Sequence, residues 1–270
     1  MLGALLLAVT ACTTSTGQQP ASGVNDVGEL VLPFDAYKPT PAQRAILGNA
    51  HNLVVAQCLR RRGVTVHPPG WDASAIATDP GNTRRYGVVD PEQAERHGYH
   101  LARPATTPAA STWTAELGKA ARRHLYGEQG CLDRAPEVLA RGAPAADWPW
   151  LAQRDSRILE RAGKRPAVRQ ARVRWKSCMA AAGHSYASPE AAIADPRWNL
   201  EQPAISAEEK RVAIADTGCK WSSGLVAAWF AADAELQREV VLGQADRFAD
   251  LRTNLGKRLD RATAVLARSR

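Results

Sequence analysis

The chain has 270 residues, a net charge of +8 and five cysteines, with 45% hydrophobic and 23% charged side chains. It is too long for a cysteine-stapled miniprotein, too apolar for a disordered chain, and long enough to bury one or two ordinary cores. Mean hydropathy is −0.32, and no apolar run reaches the ~18 residues that a bilayer-spanning helix needs.

The first segment is a short apolar run, Leu2 to Val9, followed by Thr10-Ala11-Cys12. A run of this length sits at the low end for the apolar region of a signal peptide. Val9-Thr10-Ala11-Cys12 resembles the lipobox of bacterial lipoproteins, in which small residues precede a cysteine at the cleavage site. The resemblance implies that residues 1–11 are a signal peptide and that Cys12 begins the mature chain. It further implies a diacylglyceryl group on the Cys12 sulfur, with its amine often acylated as well. Two or more acyl chains anchor stably, whereas one binds marginally. No Lys or Arg precedes the apolar run, although signal peptides carry a basic leading region, so the true start is expected upstream of Met1. Thr13 to Asn25 is polar, and residues 12–40 are read as the lipidated cysteine and a flexible tether. The competing reading is a buried N-terminal helix with a free cysteine.

Removing Cys12 leaves Cys58, Cys131, Cys178 and Cys219, and their contexts repeat. Cys58-Leu59 precedes Gly63 and Cys178-Met179 precedes Gly183, while Gly130 precedes Cys131 and Gly218 precedes Cys219. This order suggests two copies of one helical unit, residues 41–150 and 151–270. Pro41 after Thr40 opens a helix whose apolar face carries Cys58, and Pro166 opens a second that carries Cys178. Gly63 and Gly183 read as their stops. Neither zinc nor redox Cys-x2-Cys spacing is present. In an exported chain disulfides are expected. The repeat favours Cys58–Cys131 with Cys178–Cys219; Cys58–Cys178 with Cys131–Cys219, or free buried thiols, are the alternatives.

Further along, loops rich in Pro and Gly follow Gly63 and Gly183, with short helices at Pro91 to His97, Glu116 to Tyr126 and Leu151 to Arg161. Trp148-Pro149-Trp150 marks the boundary between the units. Ser206 with Glu209 reads as a capping box. Cys219 to Ala267 is one proline-free segment whose apolar period breaks between Gly243 and Phe248, so a long C-terminal helix is expected to bend near Gly243. The fold class is all-α: two related disulfide-linked helical units, long structured loops and a long C-terminal helix.

Charge is uneven: residues 151–270 hold 21 basic and 14 acidic side chains, against 14 and 13 in residues 1–150. Arg165, Arg169 and Arg172 in the basic run are candidate anion binders, for anionic lipid or wall polymer rather than nucleic acid. Another envelope protein docking on the basic helix is a further candidate partner. The ordinary alternative is a solvated helix face. No catalytic elbow, phosphate loop, dinucleotide fingerprint or His-Glu-x2-His metal motif occurs, so no catalytic residue, metal or cofactor is assigned. His97 and His100 form a weak His-x2-His pair. Trp71, Trp148, Trp150 and Trp198 fall in loops, where they line a site or plug the core.

The Cys12 lipobox, the Arg/Ala-rich composition and the repeated Cys-x4-Gly and Gly-Cys elements together resemble secreted lipoproteins of actinobacteria with no assigned activity. That resemblance implies a membrane-anchored protein on the extracytoplasmic face, with palmitate-type acylation and a non-enzymatic binding or scaffold role. The alternative is an envelope hydrolase with a site in the Trp-rich loops.

Overall fold

A computed structural model describes residues 24–71, 80–102, 112–126 and 129–268. Thr40 Oγ1 accepts the N–H of Gln43 at 3.2 Å, and Gln43 Oε1 accepts the N–H of Thr40 at 2.9 Å. This reciprocal cap, with Pro41 at the first position, opens α1 (Pro41–Arg61). Gly63 ends it at φ +81, and the N–H of Val64 returns to the carbonyl of Leu59 at 3.0 Å. The same closure ends α6 (Pro166–Ala181): Gly183 has φ +82, and the N–H of His184 returns to Met179 at 2.8 Å. The repeated Cys-(Leu/Met)-x3-Gly is thus a repeated left-handed helix stop.

Among the described residues the chain forms ten α-helices and no β-strand. Between α1 and α6 lie α2 (Pro91–His97), α3 (Lys119–Leu125), α4 (Cys131–Ala140) and α5 (Trp148–Gly163). After α6 come α7 (Pro189–Ile193), α8 (Ala207–Ser222), α9 (Leu225–Gly243) and α10 (Ala245–Ala267). The disulfides are Cys58–Cys131 and Cys178–Cys219, each with Cα atoms 5.6 Å apart. The crossed pairing does not form, because α1 packs on α4 in one core and α6 on α8 in another. The Gly-Cys halves of the repeat are not equivalent. Gly130 caps α4 with Cys131 as its first residue, whereas Gly218-Cys219 lies inside the last turns of α8.

Two apolar cores result, and they interleave rather than divide at residue 150. The larger takes Trp175, Val226 and Leu236 from α6 and α9, but also Phe34, Val88 and Tyr99 from the first half of the chain. The smaller joins α1 and α4 to Ala262 and Val265 at the end of α10. Each disulfide falls within one of the segments 41–150 and 151–270, whereas both cores draw on the two segments. The tether expected to reach residue 40 also stops early. Val27–Glu29 and Pro33–Tyr37 are 3-10 turns, Phe34 is fully buried, and its N–H donates to Gln237 Oε1 at 2.9 Å. The physical reason is composition: Leu30, Leu32, Phe34 and Tyr37 bury apolar surface that the polar residues before them lack.

The proline-free C-terminal segment bends where expected, at Gln244, between α9 and α10. It also breaks at Ser223-Gly224, which separates α8 from α9. The Ser206 cap is half of a box: Ser206 Oγ accepts the N–H of Glu209 at 3.0 Å. The Glu209 side chain turns inward instead of returning to the cap.

Candidate functional site

Two buried polar networks fix the loop 80–102 to the helices and decide which surfaces stay open. In the first, Lys220 and Asp216 lie one turn apart on α8, Nζ to Oδ2 at 2.7 Å, both fully buried. Lys220 also donates to the carbonyl of Val88 at 3.1 Å. Asp216 accepts from Trp175 Nε1 at 2.9 Å and from the Tyr99 hydroxyl at 3.3 Å. Burial pushes the Asp216 carboxyl up and the Lys220 ammonium down. Yet Lys220 meets only acceptors and Asp216 only donors, an arrangement that holds the charged pair in place.

Beside it, Glu209 Oε1 accepts the N–H of Tyr99 and contacts His100 Nδ1, both at 2.8 Å. His100 Nε2 faces the carbonyl of Gln202 at 2.9 Å. Gly98 permits this approach: its φ is +56, and a Cβ there would lie 2.5 Å from Glu209 Oε1. Gly98→Ala is therefore expected to lower stability by about 2 kcal/mol, read as a shift in the urea midpoint. An unchanged midpoint would show that the loop yields freely.

The second network centres on Arg85. It donates to Asp233 Oδ2 and to Asp155 Oδ1, each at 2.6 Å. Lys38 reaches Asp155 at 2.8 Å, and Gln237 Nε2 reaches both carboxylates at 3.1 Å. The Tyr86 hydroxyl donates to Asp233 at 3.0 Å. Burial, with the Asp233 charge beside it, pushes the Tyr86 phenol up and keeps it protonated. The network joins the N-terminal turns and the 80s loop to α5 and α9.

The residues singled out from the sequence are placed as follows. His97 ends α2, and His100 is engaged by Glu209 and Gln202; the two are not brought into one site. Among the described residues no group of three or more metal-binding side chains occurs. Arg172 makes a bidentate pair with Glu190, both bonds 2.7 Å, and stacks 4.5 Å over Trp229. Burial pushes Glu190 up, but the Arg172 bonds outweigh it and hold its carboxyl down at about 2. Arg165 lies 3.6 Å from Glu235, and Arg169 donates to the carbonyl of Lys164 at 2.9 Å. Of the three anion-binding candidates, Arg172 is engaged by a carboxylate and a ring, whereas Arg165 and Arg169 make only surface contacts. Cys12 lies outside the described residues.

Three of the tryptophans expected in loops lie in helical turns instead: Trp148 and Trp150 open α5, and Trp198 ends a 3-10 turn, where it is buried and donates to the carbonyl of Ala192 at 2.7 Å. Trp148 and Trp150 pack against the larger core. Trp71 is tied to α1 through Asn49, which accepts its N–H at 2.6 Å and donates to its carbonyl at 2.8 Å.

Asn49 also borders a groove along α1. Two adjoining cavities of about 500 and 390 Å³ share Thr65, Val66, His67 and Pro69. The floor is the outer face of α1, including Asn52, Leu53 and Gln57, with Leu266 from α10. Trp113 and Glu116 close the second cavity. Amides, one guanidinium from Arg60 and the His67 imidazole are set in an apolar lining, a composition that suits holding a ligand by hydrogen bonds and contact. The sequence offered one signal for it, His67-Pro68-Pro69-Gly70-Trp71, a run too stiff to lie flat along a helix. No protein-family model, curated protein or solved structure matches this chain.

Proposed function

We propose that the chain is an acyl-anchored protein of the extracytoplasmic face of the cell membrane, with a binding or scaffold role rather than a catalytic one. The observation that carries the reading is the pair of disulfides, Cys58–Cys131 and Cys178–Cys219. Such bonds persist in oxidising compartments and are rare where thiols are kept reduced. With four cysteines paired, Cys12 is left over, and its sequence context, Val9-Thr10-Ala11-Cys12, resembles the one at which lipid is attached. The groove along α1 offers a place for a small or extended ligand. The buried carboxylates of Asp155, Asp216 and Asp233 are each neutralised by a cation within the fold.

The test is metabolic labelling with radioactive palmitate of cells expressing the full chain or its Cys12→Ala variant. Label on the parent and none on Cys12→Ala is the expected result. Equal label on both proteins, or none on either, would overturn the anchor.

A further inference from the structure

Three arginines gather where α9 meets α10, each set against an aromatic ring. Arg247 stacks 4.5 Å over the ring of Trp150, and Arg154 approaches the same ring at 5.8 Å. Arg252 lies 5.1 Å over Tyr37 and donates to its hydroxyl at 3.3 Å. Phe248 joins the two aromatic rings, 5.5 Å from Trp150 and 4.6 Å from Tyr37. Unlike Arg85, Arg172 and Lys220, none of these three arginines is in an ion pair with a carboxylate among the described residues. Asp246 and Asp250 stand on the first turns of α10 beside Arg247 and form no ion pair with any of the three among the described residues. At the same corner Leu242 is 80% exposed, the most exposed large apolar side chain described.

Position along the chain supplies the second argument. The 3-10 turn Pro33–Tyr37 packs on both α9 and α10, and Val24 is buried in the core that holds Phe34, Tyr37 and Phe248. Cys12 precedes Val24 by twelve residues, which span at most about 43 Å fully extended. A body of this size is about 45 Å across. The connection is too short to pass round it, so an anchor at Cys12 excludes orientations that put Val24 on the side farthest from the bilayer.

We propose that this corner faces the membrane and binds anionic lipid headgroups through Arg154, Arg247 and Arg252, with Leu242 entering the interface. The orientation rests on the anchored reading; the lipid contact does not. Aromatic rings backing unpaired guanidinium groups suit the boundary between water and acyl chains, where both ends of each pair are satisfied.

The experiment uses the full chain with Cys12→Ser, so that no acyl chain contributes, and vesicles of phosphatidylglycerol with phosphatidylcholine or of phosphatidylcholine alone. Binding is expected only with the anionic vesicles. Arg154→Gln/Arg247→Gln/Arg252→Gln is expected to weaken it about 100-fold, at about 1 kcal/mol per cation lost. Leu242→Asp changes an exposed side chain that supports no packing, and it is also expected to weaken binding severalfold. Arg165→Gln/Arg169→Gln is expected to leave binding unchanged. Parental binding by both corner variants, equal binding to neutral vesicles, or complete displacement by soluble polyglycerol phosphate would each overturn the proposal. Loss of palmitate labelling with these results intact would remove the anchor and leave the lipid surface standing.

Discussion

Replacing Arg85 by methionine is expected to destabilise the protein by about 3–5 kcal/mol, the usual cost of removing one partner from a buried ion pair. Asp233 is fully buried and Asp155 only 14% exposed, so neither carboxylate recovers its hydration when the guanidinium leaves. Methionine keeps much of the volume, which isolates charge from packing. Arg85→Met/Asp233→Asn is then expected to be more stable than Arg85→Met alone, since the second change removes the stranded charge. Both are read from urea titrations with the disulfides oxidised. A loss below about 1 kcal/mol for Arg85→Met would place the cluster among solvated surface pairs instead.

The two disulfides are expected to separate when stability and accessibility are measured side by side. Cys58–Cys131 closes a sequence separation of 73 and Cys178–Cys219 one of 41. On chain entropy both contribute about 4 kcal/mol, the longer loop roughly 0.5 more. Cys58→Ala/Cys131→Ala is therefore expected to lower the denaturant midpoint slightly further than Cys178→Ala/Cys219→Ala. Accessibility runs the other way. Cys58 and Cys131 are 3% and 0% exposed, whereas Cys178 is only partly buried. Graded dithiothreitol followed by thiol alkylation should open Cys178–Cys219 first. If Cys58 and Cys131 are alkylated first, the smaller core opens more readily than its burial implies.

Much of this fold is legible in the residues, because its strongest signals are local. Thr40-Pro41 with Gln43, and the glycines at positions 63 and 183, specify where α1 and α6 start and stop through bonds within a few residues. The broken apolar period before Phe248 marks the bend after Gly243 for the same reason. What is not legible depends on partners far along the chain. Leu30 to Tyr37 reads as tether until Gln237 and Phe248 are there to receive it. Glu209 reads as a capping residue until Tyr99 and His100, more than a hundred positions away, claim its carboxylate. Arg172 reads as a free cation until Glu190 and Trp229 close on it. The groove leaves only the run from His67 to Trp71 as a signal and the α9–α10 corner none, since each is assembled from segments far apart in the chain.

The interleaving of the two cores has a consequence for biogenesis. The smaller core gathers α1 and the last turns of α10, which leave the ribosome far apart in time. It therefore cannot close until the end of α10 has emerged, and its formation depends on contacts of long sequence separation, which form slowly. Cys58 and Cys131 emerge well before Ala262 and Val265 arrive to cover the core they share. An oxidase acting on the emerging chain thus meets these two thiols in an unfinished core, and the bond it makes there shortens the search that the final helix must complete.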